Sequence, residues 1–172
     1  MPLPAWTQRG YLVPGRHTAS EADIYERCVS DAPAEQRQHR EVLFSSLQSY
    51  TGMIRSLLKG GSLLVGGPFL SRDSVSPTGL DVVLVPADWE QLTILPTDQQ
   101  EQLHQLLTLN DIIVGHPITM YMKSIKPVGS VVDAYLCYPG QEDVWEDLLS
   151  EVVDEHQRPV EGVARGYVEV VL

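Results

Sequence analysis

The stretch that decides the fold reads Leu63-Leu64-Val65-Gly66-Gly67-Pro68-Phe69, and it is followed by a second run, Gly79-Leu80-Asp81-Val82-Val83-Leu84-Val85. Both runs are short, apolar and rich in Val and Leu, which predicts two β-strands. The first strand ends in paired glycines, and the second carries one carboxylate, Asp81, among apolar residues. A charge in a buried strand is costly unless it is paired or binds a metal. The pattern therefore marks Asp81 as a candidate site residue.

The composition fits a single domain with one ordinary core. The chain has 172 residues, of which 43% are hydrophobic and 20% are charged, so wholesale disorder is not expected. Its formal net charge is −11 and no cluster of Lys and Arg occurs, which argues against nonspecific nucleic-acid binding. An acidic protein can still bind a nucleotide when magnesium bridges the phosphates.

The cellular location is predicted from what the sequence lacks. No apolar run is long enough for a transmembrane helix, so no membrane partner is expected. The first residues have neither the basic nor the apolar region of a signal peptide. Cys28 and Cys137 are not in a CxxC motif and are predicted to be free thiols. We therefore expect a cytoplasmic protein.

The chain is predicted to consist of an extended N-terminal arm over residues 1–17 and one domain over residues 18–172. Prolines and glycines interrupt the arm, and Thr18 with Glu21 fits a helix capping box. A long amphipathic helix is predicted from about Ala34 to Lys59. Its apolar face repeats at spacings of 4, 3, 4 and 3 and consists of Leu43, Leu47, Tyr50, Ile54 and Leu57.

The C-terminal half alternates helices and strands. A helix should open at Thr97, a strand should cover Ser130–Tyr138 and include Asp133, and a helix should cover Gly140–Glu155. Short strands are predicted at 111–114 and 118–122, and a terminal strand at 162–172. Together these elements favour an α/β (α+β) fold in which helices flank a small mixed sheet.

In this order the motifs resemble the minimal nucleotidyltransferases. The core of that family is an apolar strand, a Gly-Ser or Gly-Gly turn, an Asp-x-Asp strand and a third Asp on a later strand. Leu64–Gly67 is similar to the turn. Gly79–Leu84 is similar to the Asp-x-Asp strand with Gly79 at the first Asp, and Val131–Tyr135 looks like the third-Asp strand.

The ends of the chain extend this resemblance over most of its length. Gly10–His17 and Pro159–Arg165 are similar to segments of an uncharacterised bacterial group built on the same fold. The resemblance implies a nucleotidyltransferase-like fold that binds a nucleoside triphosphate with Mg²⁺. It implies that Asp81 and Asp133 are catalytic residues and metal ligands. It also implies that Gly66, Gly67 and Arg72 contact the phosphates.

Two departures from the family pattern bear on catalysis. Pro68 stands where the family has a phosphate-contacting serine, and it offers neither a hydroxyl nor an N–H donor. Gly79 stands where the family has its first metal carboxylate. If Asp81 is instead aligned with that first Asp, Val83 takes the second place, and a carboxylate is still missing. Two carboxylates would hold Mg²⁺ weakly, so the missing ligand would have to come from a residue such as Asp73 or Asp88.

Three functions remain open from the sequence. The leading one is a diverged, catalytically impaired member that binds a nucleotide or a protein partner, in the toxin–antitoxin or defence setting typical of minimal nucleotidyltransferases. The second is an active Mg²⁺-dependent enzyme that moves a nucleoside monophosphate to protein or RNA. The third is a structural interaction protein, in which Asp81 is a solvated strand residue, the glycines form a tight turn and Arg72 is a surface residue.

Overall fold

The computed structural model describes residues 2–72, 77–115, 119–154, 156 and 158–172. The strands are β1 (Gly15–Thr18), β2 (Gly61–Gly66), β3 (Leu80–Pro86), β4 (Leu109–Gly115), β5 (Thr119–Ile125), β6 (Val132–Leu136), β7 (Glu151–Val153), β8 (Pro159–Ala164) and β9 (Gly166–Val171). The α-helices are α1 (Glu21–Tyr25), α2 (Ala34–Leu57), α3 (Trp89–Ile94), α4 (Thr97–Gln105) and α5 (Glu142–Ser150). A π-helical turn, Glu26–Ser30, continues α1, and a 3₁₀ turn, Pro68–Leu70, follows β2.

The central sheet has five strands in the order β1-β9-β2-β3-β6. Strand β2 runs antiparallel to both neighbours, β3 and β9, whereas β1 with β9 and β3 with β6 are parallel pairs. Strands β4 and β5 form an antiparallel pair outside this sheet, as do β7 and β8. The predicted α/β class with a mixed sheet is therefore confirmed. In the described residues no helix is long and apolar enough to cross a membrane.

Helix α2 covers one face of the sheet and forms the main core with it. Leu43, Leu47, Tyr50 and Ile54 are fully buried, as the apolar periodicity predicts. They belong to one cluster with the alternate residues of the central strands, among them Leu63, Val65, Val82, Leu84 and Val132. Leu57 is only half-buried, because α2 ends there rather than at Lys59.

Helix α5 covers the opposite face with a smaller apolar cluster. Its Leu149 packs with Leu64 of β2, Val83 of β3 and Tyr167 of β9. Successive strand residues point to opposite faces, so Asp81 and Val83 lie on the α5 side while Leu80 and Val82 lie on the α2 side. The carboxylate that the sequence singled out thus lies outside the main core.

The start of the chain differs from its prediction. Gly15–Thr18 pairs with β9, so the last residues of the predicted arm belong to the sheet. Leu3 and Leu12 are buried in the main core. The predicted capping box at Thr18 is wrong because Thr18 is the last residue of a strand. Ser20 is the N-cap instead, and it forms the capping box with Asp23.

Two further predicted boundaries, at the end of α5 and in the terminal strand, were wrong. Helix α5 ends at Ser150 rather than at Glu155, and Glu151–Val153 pairs with β8. The β-branched pair Val152-Val153 favours an extended backbone over a final helical turn. The predicted terminal strand is two strands, β8 and β9, which part at Arg165. The predicted strands at 111–114 and 118–122 correspond to β4 and β5, although Ile118 lies outside the described residues.

We predict that Leu47→Ala destabilises the protein by about 2–5 kcal/mol. The substitution removes buried methyl groups from the α2 face and leaves a cavity against the sheet. Urea denaturation measures the loss. Val42→Ala is the matched control because Val42 lies on the same helix and is 56% exposed. A Leu47→Ala variant as stable as the control would contradict this packing.

Candidate functional site

Strands β3 and β6 bring the two predicted carboxylates side by side. The strands are parallel, and Asp81 is the register partner of Asp133. Register partners on parallel strands project to the same face, and neighbouring strands lie about 4.8 Å apart. Both side chains therefore point to the α5 side of the sheet. The structure thus places the two carboxylates next to each other, while their catalytic and metal-binding roles stay predictions.

A cleft of about 390 Å³ opens beside this pair, between the sheet and α5. Its lining consists of Asp81, Val83, Tyr135, Trp145, Leu148 and Leu149. The rings of Tyr135 and Trp145 pack with their centroids 5.1 Å apart and their planes tilted by 32°. An apolar, aromatic cleft with a single charged group in its lining is typical of a small-molecule site.

The two aspartates have opposite pKa shifts. Burial raises the pKa of Asp81, and the neighbouring charge of Asp133 raises it further against the lowering effects of Arg165 and Lys126. Burial also acts to raise the pKa of Asp133, but Lys126 and the nearby hydroxyls of Thr108 and Tyr135 act against it, and the pKa of Asp133 lies below its usual range. Adjacent acids with diverging pKa values are common at functional sites.

The positive charges at the site come from Lys126 and Arg165, which the sequence analysis did not select. Lys126 follows β5 directly, and its Nζ lies 2.6 Å from Oδ2 of Asp133. Arg165 joins β8 to β9, and its Nε donates to the carbonyl oxygen of Leu149 at the end of α5. The other carboxylate oxygen of Asp133, Oδ1, is buried and has no hydrogen-bond partner among the described residues.

The paired glycines have a packing explanation. A Cβ atom at Gly66 would lie 2.5 Å from Cδ2 of Leu149, so a larger residue at this position would require the Leu149 side chain to move. Gly67 has φ +85°, a conformation that favours glycine, and a Cβ there would lie 2.7 Å from Oδ2 of Asp81. The glycines thus make room for α5 and for the carboxylate of Asp81. Phosphate binding by Gly66 and Gly67 stays a prediction.

Arg72 lies on the loop beyond this turn, and its side chain is exposed. Its backbone N–H donates to the carbonyl oxygen of Gly10. Among the described residues, no hydrogen bond or ion pair joins its guanidinium to Asp81 or Asp133. Its phosphate-binding role also stays a prediction.

Comparison with known proteins assigns the chain to a family. Residues 4–171 match the model of DUF6932, a family of unknown function. The chain belongs to the DUF6932 family. Searches of curated proteins and of solved structures find no match. The DUF6932 match spans all nine strands and both helices that cover the central sheet, so the cleft lies wholly within the family region.

The acidic groups of this DUF6932 protein do not fit a two-ion magnesium centre. A Cβ atom at Gly79 would lie 2.6 Å from the carbonyl oxygen of Val131, so a carboxylate side chain there requires the backbone to move. One of the two remaining carboxylates, Asp133, already binds the ammonium of Lys126. Within the described ranges, no group of three or more His, Cys, Asp or Glu residues could hold a metal ion.

Neither residue suggested as a replacement ligand supplies the missing carboxylate. Asp88 caps helix α3, where its Oδ1 accepts a hydrogen bond from the N–H of Glu90 at 2.9 Å. It follows the end of β3, whereas Asp81 is near the start of that strand, so the length of the strand separates the two carboxylates. The proposal for Asp88 is therefore wrong. Asp73 lies outside the described residues.

We predict that Asp81→Asn stabilises the protein at neutral pH. The raised pKa of Asp81 means that ionising this carboxyl costs free energy in the folded state. The gain should shrink as the pH falls through the raised folded pKa towards the ordinary aspartate value, because the wild-type carboxyl then becomes neutral. Urea denaturation at several pH values between neutrality and about 3 follows the difference.

Asp133→Asn should behave in the opposite way and serves as the paired variant. The lowered pKa of Asp133 stabilises the folded state above the ordinary aspartate pKa, and this contribution is lost as the pH falls through the folded value. Because the ion pair with Lys126 is partly exposed, we expect a loss of about 1 kcal/mol or less at neutral pH. Equal effects of the two substitutions would contradict the electrostatic asymmetry.

Proposed function

We propose that this protein is a diverged, nucleotidyltransferase-like protein that binds a nucleoside triphosphate and has little or no transferase activity. One observation supports this proposal above the others. Asp81 and Asp133 stand in register beside a cleft, as the metal-binding carboxylates do in the minimal nucleotidyltransferases that this sequence resembles. The backbone around Gly79 leaves no room for the carboxylate that this family has in addition.

The walls of the cleft and the two cations near the aspartates supply the features that a nucleotide needs. Trp145 and Tyr135 offer aromatic surface on which a base can stack, an interaction worth about 1–3 kcal/mol per base. Lys126 and Arg165 place positive charge beside the carboxylates, where phosphate groups require it. The cleft volume lies within the common range for small-molecule sites.

The loss of transfer follows from the number of carboxylates. Two-metal phosphoryl and nucleotidyl transfer needs ions that stabilise both the attacking and the leaving oxygens. Mg²⁺ in such sites is held by carboxylates together with substrate phosphates. Losing one ligand of a metal-stabilised transition state costs several kcal/mol, on the order of 10³-fold or more in rate. The site is therefore suited to binding rather than to turnover.

We predict that a nucleoside triphosphate binds in the cleft and changes the fluorescence of Trp145. Titration calorimetry with ATP, GTP, CTP and UTP finds the preferred base, and tryptophan fluorescence follows the same titration. Trp145→Leu should weaken binding roughly 5- to 100-fold, because the stacking surface is lost.

The matched control for this experiment is Trp89→Leu. Trp89 stacks on Tyr138 with centroids 5.0 Å apart and is not part of the cleft lining. Its variant should keep the wild-type affinity, and thermal melting checks that both variants are folded. If none of the four nucleotides binds the wild-type protein, nucleotide binding is refuted and a structural interaction role is favoured.

We predict no appreciable nucleotidyl transfer by the wild-type protein. The assay incubates the protein with Mg²⁺, an α-³²P-labelled nucleoside triphosphate and either protein or RNA as acceptor, and counts the label transferred. Strong labelling that Asp81→Ala abolishes would overturn this prediction and establish an active enzyme. Gly79→Asp is a poor restoration test, because the Val131 carbonyl oxygen crowds the new side chain.

A further inference from the structure

The charges around the two carboxylates are balanced by the protein itself. Nζ of Lys126 lies 2.6 Å from Oδ2 of Asp133, and its charge also reaches Asp81. Arg165 adds a second positive charge that acts on Asp81. In a chain with a net charge of −11, two cations beside two adjacent aspartates are a local exception.

Lys126 is fixed in place by the elements around it. It lies at the base of the β4–β5 pair, where Leu109 and Ile125 are register partners. Thr108, at the same base, donates its N–H to the carbonyl oxygen of Ala134 and accepts the N–H of Ala134 with its hydroxyl, both at 2.8 Å. Ala134 is the neighbour of Asp133 on β6, so the base of the pair is attached beside that aspartate.

The residue after Lys126 restricts it further. Pro127 is buried, and its ring restricts the backbone of the residue before it. The backbone at Lys126 is therefore restricted by the attachment of Thr108 beside Asp133 and by the buried proline, while the ammonium contacts Asp133 directly. Lys123, on the preceding strand β5, is by contrast exposed.

We propose that the ammonium of Lys126 takes the place of a magnesium ion, so that the site binds the triphosphate group of its ligand without a divalent metal. This inference rests on the proposed nucleotide-binding function and specifies how that function is achieved. A lysine ammonium has three N–H donors. One donor bonds to Asp133, and two remain for phosphate oxygens.

The other side chains of the site agree with this role. Gly79 cannot supply the additional carboxylate that a magnesium centre needs, and Asp133 is already neutralised. A compact point charge such as a lysine ammonium is a common phosphate binder. One ammonium can hold a triphosphate, but it does not bridge the attacking and leaving oxygens as two metal ions do. Binding without transfer follows from this difference.

The test compares metal-free and magnesium-containing binding by calorimetry. The probes are inorganic tripolyphosphate and whichever of the four nucleoside triphosphates binds most tightly, each titrated in EDTA and in excess MgCl₂. The wild-type affinity in EDTA should equal or exceed that in MgCl₂. Lys126→Met should lower the affinity in EDTA by roughly 10- to 100-fold, as expected for losing a charge-assisted hydrogen bond.

Two further variants separate this role from a general effect of charge or folding. Lys123→Met removes the same charge from an exposed position of the preceding strand, β5, and should leave both affinities unchanged. Lys126→Arg keeps the charge and should restore most of the metal-free affinity. Added MgCl₂ should partly restore binding by Lys126→Met, because the aspartates then lack an internal cation.

The possible failures are distinguishable. If the wild-type protein binds a nucleoside triphosphate only in MgCl₂, the role of Lys126 is refuted and the proposed nucleotide binding stands. If Lys126→Met and Lys123→Met lose affinity equally, Lys126 has no specific role and the inference is again refuted. If the wild-type protein binds neither probe under either condition, both the proposed function and this inference are refuted.

Discussion

The buried guanidinium of Arg40 fixes the segment after β2, which lies next to the candidate site. Arg40 is 1% exposed and extends from α2, where it donates hydrogen bonds to the carbonyl oxygens of Cys28, Phe69 and Ser71. A buried charge is tolerated only when its donors are satisfied, so the segment after β2 must present these carbonyls inward. That segment starts at Gly67, whose Cα faces the carboxylate of Asp81. The segment 67–71 thus lies between the core around α2 and the carboxylate of Asp81.

The site itself combines residues that are distant in the sequence. Parallel pairing places Asp81 and Asp133 in register, and the repulsion between their charges opposes folding with both ionised. Lys126 and Arg165 offset this repulsion, one from the β4–β5 pair and the other from the joint between β8 and β9. Burial raises the pKa of Asp81 despite these two charges, whereas the direct contact with Lys126 helps to keep the pKa of Asp133 low, so the two aspartates shift in opposite directions.

Close packing explains three glycines that, from sequence, pointed to phosphate or metal chemistry. The positions a Cβ would take are filled by Leu149 at Gly66, by the Asp81 carboxylate at Gly67 and by the Val131 carbonyl at Gly79. Glycine at position 79, in place of an acidic residue, thus lets the start of β3 lie close to the segment before β6. A residue with a side chain at position 79 would need a different backbone at this point.

The sequence by itself determined the elements whose signals are local. The apolar face of α2 follows from its helical repeat, and strands β2 and β3 follow from short apolar runs. Alternation along a strand places Asp81 on the face opposite to Val82. Only the tertiary structure decided that β6 lies parallel to β3, that residues 15–17 join the sheet, and that Lys126 and Arg165 reach the aspartates. Strand pairing and register arise from contacts between distant segments, and periodicity within one segment carries no information about its partner.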